Sequence, residues 1–454
     1  MATGVLAAMG LTATLAACGG GADHPGAGAS HSPSLSPSTP APTKHVSLTL
    51  GVYGSPGEVK AFSRVAAEYR AVDADVSVTV KSWPNETAMA TALAHGAPAP
   101  DVFLTPRSQV RELTDLDVIQ PVDTFLEARN VDLGDSYSRA AILGFSQDNH
   151  LTCMPYAISP EVLYVNTDLV NFKAMARRGL PVPSNPQNGT WNLQQFVAAM
   201  RYAASRPGVA GTYLTPTLRG LAPWLTAAGG HLVDDVNNPT TTSFSDSEDA
   251  LKALQPLLSD PQLRLSPKQL KSRSPLTWFL RGKLAALPGQ RSLVPVLRGR
   301  PGLHWNVMAM PANGGAATTG DYSGLCLSKT TDDADAAADF LVYLNSTEAV
   351  TDVAQSGYIV PVNQQVAYGS GFVQPGRAPA DAAVFTNAIK GMTTLPPAST
   401  LSELQRVTAA PLRRLFQPGA DLDAVAQRID TLSSERLRPP APSGASSPSG
   451  GPTP

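Results

Sequence analysis

Three cysteines, Cys18, Cys153 and Cys326, have the widest chemical range of any residues in this 454-residue chain. A thiolate attacks as a nucleophile, ligates a metal, carries a lipid or pairs as a disulfide. None of the three belongs to a C-x-x-C. The histidines at 95, 150, 231 and 304 are too scattered to complete a tetrahedral metal site, so no metal or other cofactor is expected. G-x-S-x-G, S-x-x-K, H-E-x-x-H and G-x-x-x-x-G-K-[ST] are all missing, which removes the commonest nucleophile, zinc and phosphate signatures. Carboxylates are plentiful but stand mostly at helix starts and in loops, where capping and solvation account for them. A glycosidase-type pair of acids is therefore left open rather than indicated.

Cys18 has the most telling surroundings, "LTATLAACGGGADHPG". Residues 2–17 are apolar or small, too short to span a membrane at ~20 residues, and end in Leu15-Ala16-Ala17-Cys18. That ending resembles the lipobox of bacterial lipoproteins, which implies a signal peptide over 1–17 cut before Cys18 and a lipid on its sulfur. The stretch departs from the usual pattern in having no Lys or Arg between Met1 and Leu15. Residues 18–45 follow as a Gly-, Ser- and Pro-rich linker, and 437–454 have the same composition. Neither can bury enough apolar area to offset its ordering entropy, so both are expected to be disordered. If Cys18 is lipidated, Cys153 and Cys326 are left as an even pair in an oxidising compartment.

The fold is therefore expected within residues 46–436. A net charge of -2 and the absence of a basic stripe give no reason to expect a nucleic-acid partner, and none is expected. "VSLTLGVYG" and "ADVSVTVKSW" alternate apolar and polar residues as strands do, and "GEVKAFSRVAAEYR" between them has helical spacing. "PDVFLT" reads as a buried strand, and strand-like "HLTCMPYAISPEVLYVNTDLV" follows. Ser245 with Glu248 reads as a capping box opening a helix with Leu251, Leu254 and Leu258 on one side. "LAALPG" reads as a short strand, and "SGLCLSKTTDDADAAADFLVYL" as a strand and a helix. This β-α-β rhythm predicts an α/β protein whose parallel or mixed sheet has helices on both faces.

In order along the chain stand "APDVFLTPRSQVREL", "MPYAISPEVLYVNTDL", "TWNLQQFVAAM", "PWLTAAGGHLVDD", "FLRGKLAALPGQ" and "YSGLCLSK…AADFLVYL…GYIVPVN". Together they resemble extracellular solute-binding protein family 1 of the ABC importers, whose members mostly bind sugars. The resemblance implies a type II, periplasmic-binding-protein-like fold. Two lobes (about 46–153 with 326–375, and 155–322 with 380–436) would be joined by crossings near Met154–Ser159 and Tyr322–Cys326. It further implies a small solute held by hinge closure, a membrane permease as partner, and a monomeric receptor tethered outside the membrane through Cys18. Were the crossings side by side, Cys153 and Cys326 would face each other as a disulfide; two reduced core thiols are the alternative.

A sugar needs flat apolar platforms and forked or planar polar groups. The ligand-binding candidates are then Tyr53 after the first strand, Thr105, Arg107 and Ser108 after "PDVFL", and Tyr156 and Ser159 on the first crossing. Trp224, Gln290, Arg291 and, on the second crossing, Tyr322 complete them. Gln290 and Arg291 stand where relatives often place an aromatic, which implies a more polar or charged ligand. Trp191, Trp278 and Trp305 are assigned to the core. Two further classes stay open: a lipoprotein holding cell-wall polymer or protein without transport, and a glycan-active enzyme.

Overall fold

The computed structural model describes residues 45–134 and 136–438. The expected signal peptide, Cys18 and the two low-complexity ends lie outside the described residues, apart from His45, Leu437 and Arg438.

The alternating strands form where the pattern placed them. β1 (Val46–Tyr53), α1 (Pro56–Glu68), β2 (Val76–Trp83), α2 (Glu86–Ala94), β3 (Val102–Pro106) and α3 (Arg107–Asp115) alternate as β-α units. They are followed by β4 (Ile119–Gln120), α4 (Arg139–Gly144) and β5 (Cys153–Pro160). One eight-stranded sheet uses these strands together with β9 (Thr318–Ser328), β10 (Val360–Pro361) and β11 (Met392–Thr394). Its order is β10-β5-β9-β3-β1-β2, with β4 and β11 also on β9. β1 is parallel to β2 and β3, whereas β9 runs antiparallel to β3 and β5, so the sheet is mixed. Its core contains Leu50, Phe62, Phe103, Leu325 and Phe340, each fully buried.

A second lobe is built on a three-stranded sheet, β6 (Val162–Asn166) between β7 (Ala286–Gly289) and β8 (Trp305–Met308). On one side lie α5 (Leu193–Ala204), α6 (Leu218–Ala227), α7 (Glu248–Ser259), α9 (Ala398–Arg414) and α10 (Leu422–Leu437), sharing one apolar cluster. A separate cluster around Tyr164, Phe279, Phe372 and Phe385 packs the rest. α8 (Ala334–Leu344) belongs to the first lobe.

Three local expectations change. Residues 154–159 pair along their length inside the large sheet, and 322–326 form the middle of β9, so neither is the crossing itself. The chain passes between lobes at Glu161 and again in the segment leading to Thr318, because strand pairing continues to Pro160 and begins at Thr318. α7 starts at Glu248 with Ser247 at its N-cap and no side-chain cap bond. The N–H groups of Phe244 and Ser245, upstream of the helix, donate to Asp430 of α10 (3.0 and 2.7 Å), so the segment leading into α7 is held by α10 and not by the expected capping box.

Cys153 and Cys326 are directly opposed on β5 and β9 and are joined as a disulfide, with Cα atoms 4.3 Å apart. The bridge ties two strands of one lobe. It does not tie lobe to lobe.

Candidate functional site

β1, β3 and β5 run in one direction and end side by side at Tyr53, Pro106 and Pro160, with the start of antiparallel β9 among them. The carboxyl edge of such a sheet is where open α/β folds hold ligands, because loops and helix starts converge there. Polar groups crowd this edge. Asp321 lies opposite Ser159 and accepts from the hydroxyl and N–H of Ser108 and from the N–H of Tyr322 (2.9 Å). It thereby serves the N-terminus of α3, whose own N-cap, Pro106, offers no side-chain acceptor. Burial raises the Asp321 carboxyl above its ordinary range, against the pull of Ser108 and Arg107. The Tyr53 and Ser323 hydroxyls share a 3.3 Å hydrogen bond, and burial raises the Tyr53 phenol.

Glu161 occupies the crossing. Its N–H donates to the Thr319 carbonyl (2.9 Å) and its own carbonyl accepts from the Thr318 hydroxyl (2.8 Å). Burial pushes its carboxyl up to about 7, with Arg219 pulling the other way. Glu58, whose carboxylate accepts from the Ser55 N–H while Ser55 Oγ accepts from Glu58 N–H (3.3 Å), is also pushed up to about 7 by burial and by nearby Glu86.

Beside this edge a groove of about 650 Å³ opens between the lobes. α3, α4, residues 145–147 and β11 form one wall; residues 236–238 of the second lobe and Pro397, at the start of α9, form the other. Arg107 crosses it, its Nη2 donating to Asn237 Oδ1 (2.8 Å) and its Nη1 to the Leu395 carbonyl (3.5 Å). Arg111, one turn later, donates from Nη1 to Asn238 Oδ1 (3.3 Å) and to the Asn237 carbonyl (3.5 Å). The receiving loop is held in shape by Asp235 Oδ1, which accepts from the N–H groups of Asn237 and Asn238 (2.7 and 3.1 Å). Gly144 makes room for Arg107: a Cβ there would stand 3.3 Å from Arg107 Cδ and 3.5 Å from the Tyr322 ring. Leu143, 63 % exposed, presents an apolar surface in the same groove.

Of the ten sequence-derived candidates, Arg107 and Tyr322 line this groove. Ser108, Tyr53 and Ser159 are brought to the neighbouring polar edge, Ser108 buried and the other two half-buried. The rest are placed elsewhere. Thr105 is fully buried under the edge. Tyr156, on the first-lobe side, is 1 % exposed and packs on Phe62 with ring centres 5.7 Å apart, so it does not line the cleft. Trp224 is also 1 % exposed and lies against Phe196 (5.2 Å) in the second-lobe core, which removes it as a sugar platform. Gln290 is half-buried and its carbonyl accepts from the Tyr164 hydroxyl (2.6 Å). Arg291 is buried over the Phe372 and Phe385 rings (4.4 and 5.1 Å), with Nη2 donating to the Phe372 carbonyl (3.0 Å). Burial lowers its guanidinium to about 10. Trp191 and Trp305 are buried and Trp278 half-buried.

Arg111, Leu143, Gly144, Asn237, Asn238, Thr393 and Thr394 were missed. Arg111 had a usable signal, one helical turn after Arg107, and "DDVNNP" reads as a turn. Among the described residues no group of three or more His, Cys, Asp or Glu gathers as a metal site, and no helix is long and apolar enough to cross a membrane.

Two α/β lobes, the segments that cross between them and a polar groove between the lobes define a protein that holds a ligand in an interlobe cleft. The chain belongs to the bacterial extracellular solute-binding proteins, whose family model matches residues 64–385. Among solved structures it is similar to an ABC substrate-binding protein of Listeria monocytogenes in complex with cycloalternan (19 % identity, 86 % of this chain and 98 % of that one, TM-score 0.72). It is also similar to the GacH receptor of Streptomyces glaucescens, solved unliganded and with acarbose (17 % identity, 86 % and 98 % covered, TM-score 0.70). A third is maltose-bound MalE3 of T. maritima (14 % identity, 86 % and 99 % covered, TM-score 0.67). At these identities the likeness is one of fold. No curated protein matches the chain.

Proposed function

We propose that this chain is the receptor of an ABC importer, a binding protein rather than an enzyme. It captures a sugar or oligosaccharide by closing its lobes and delivers the solute to a permease. The observation that carries this reading is the groove itself, whose walls come from both lobes and already touch through Arg107 and Arg111. A solute that contacts both walls has differential affinity for the closed form, and that difference is what shifts the population towards closure. The sugars named for the similar structures support the choice of ligand class. We further propose that the protein acts as a monomer, tethered through lipid on Cys18 outside the membrane.

The test is a thermal-shift screen of the purified chain with mono-, di- and oligosaccharides, followed by small-angle scattering. A ligand at a hundred times its Kd adds about 2.7 kcal/mol of stability. A selective rise in Tm together with a smaller radius of gyration is expected. A well-folded chain that responds to no small solute refutes the reading.

A further inference from the structure

The charge lining the interlobe groove narrows the solute, on the reading above that the groove is the ligand site. Arg107 and Arg111 are the charged side chains of that lining, and no acid accompanies them. Their hydrogen bonds go to neutral acceptors, the Asn237 and Asn238 side-chain amides and the Asn237 and Leu395 carbonyls. Among the described residues no carboxylate is ion-paired with either. Asp321 interacts electrostatically with Arg107 but makes no ion pair with it, its hydrogen bonds coming from the Ser108 hydroxyl and N–H and the Tyr322 N–H.

Two guanidiniums one helical turn apart, Arg107 half-buried and Arg111 exposed on the wall of the groove, match an anionic group far better than neutral amides do. Charge-assisted bonds to a carboxylate or phosphate are roughly twice as strong as neutral ones, and the planar fork fits both anions. The rest of the lining suits a polyhydroxylated body: Leu143 for its C–H face, and Thr393 and Thr394 for its hydroxyls. We infer that the solute is an acidic carbohydrate, a sugar or polyol bearing a carboxylate or a phosphate, whose anion is taken by Arg107 and Arg111.

Calorimetric titration of the purified chain with matched compounds tests this: glucose, glucuronate and glucose 6-phosphate; glycerol and glycerol 3-phosphate; maltose and a uronate disaccharide. At least one acidic member is expected to bind 30-fold or more tighter than its neutral counterpart, and to weaken as salt is raised. Which member does so separates carboxylate from phosphate. Arg111→Gln, at an exposed position, is expected to reduce that affinity 10- to 100-fold with Tm unchanged, and Arg111→Lys to restore part of it. A neutral sugar that binds as tightly as its acidic form, and is indifferent to Arg111→Gln, overturns this inference while leaving the receptor reading intact. Silence towards every compound, neutral and acidic, overturns both.

Discussion

Trp224 offers the sharpest separation between a ligand platform and a core residue. Its indole is 1 % exposed and packs at 5.2 Å on Phe196, itself fully buried, among the helices of the second lobe. Burying about 200 Å² of aromatic surface at about 25 cal/mol per Å² contributes about 5 kcal/mol, and the aromatic pair adds about 1 kcal/mol. Partial collapse of the vacated space brings the expected cost of Trp224→Ala to about 4 kcal/mol, within the usual range for such truncations. At about 1.2 °C per kcal/mol for a fold of this size, Tm should fall by about 5 °C. Trp224→Phe keeps a ring against Phe196 and should lose about a third of that. Urea and thermal melts followed by near-ultraviolet circular dichroism measure both variants without a ligand. A Trp224→Ala protein that melts within about 1 °C of the parent would refute the core assignment. The indole would then have to face the cleft.

Three further outcomes follow from the same geometry. Replacing both Cys153 and Cys326 by Ala should lower stability by roughly 5 kcal/mol, since the bond closes a loop with a sequence separation of 173; urea melts of parent and variant measure it, and lobe closure seen by scattering should be unchanged. Glu161 has a folded pKa near 7, raised from 4.5, so the native state binds more protons and its contribution to stability declines as pH rises from about 4.5 to 7. Glu161→Gln should therefore be more stable than the parent at pH 8, with the advantage shrinking to nothing near pH 4.5; a Tm series across that range with no convergence contradicts it. Gly144→Val should push Arg107 off its path, weakening solute binding about tenfold or more while moving Tm by about 2 °C at most; calorimetry alongside a melt separates the two effects.

Much of this architecture was legible in short stretches. Period-two runs such as Val46–Tyr53 and Val76–Trp83 became strands, and Phe62 and Val65 at helical spacing became the buried face of α1. These signals are local: backbone periodicity and turn chemistry act within about ten residues. Arg107 was within reach for the same reason, a polar residue just after a strand whose carboxyl end faces outward from the sheet.

Which side chains share the cleft was decided otherwise. Arg107 meets Asn237 across 130 residues and Leu395 across 288, and neither partner carries a mark of that meeting in its own neighbourhood. An aromatic side chain looks the same in sequence whether it faces ligand or core, so Trp224 read as a platform and Tyr156 as a cleft residue until the helices and strands around them closed. Arg291 is the extreme case, a cation placed among phenylalanines by the packing of residues 372 and 385, which no pattern around position 291 foretells. Composition and spacing determined the elements, and the resemblance of the ordered motifs to a known family pointed to the class of protein. The site itself arose only when distant segments packed together, because burial and proximity belong to the whole fold and not to any one stretch of it.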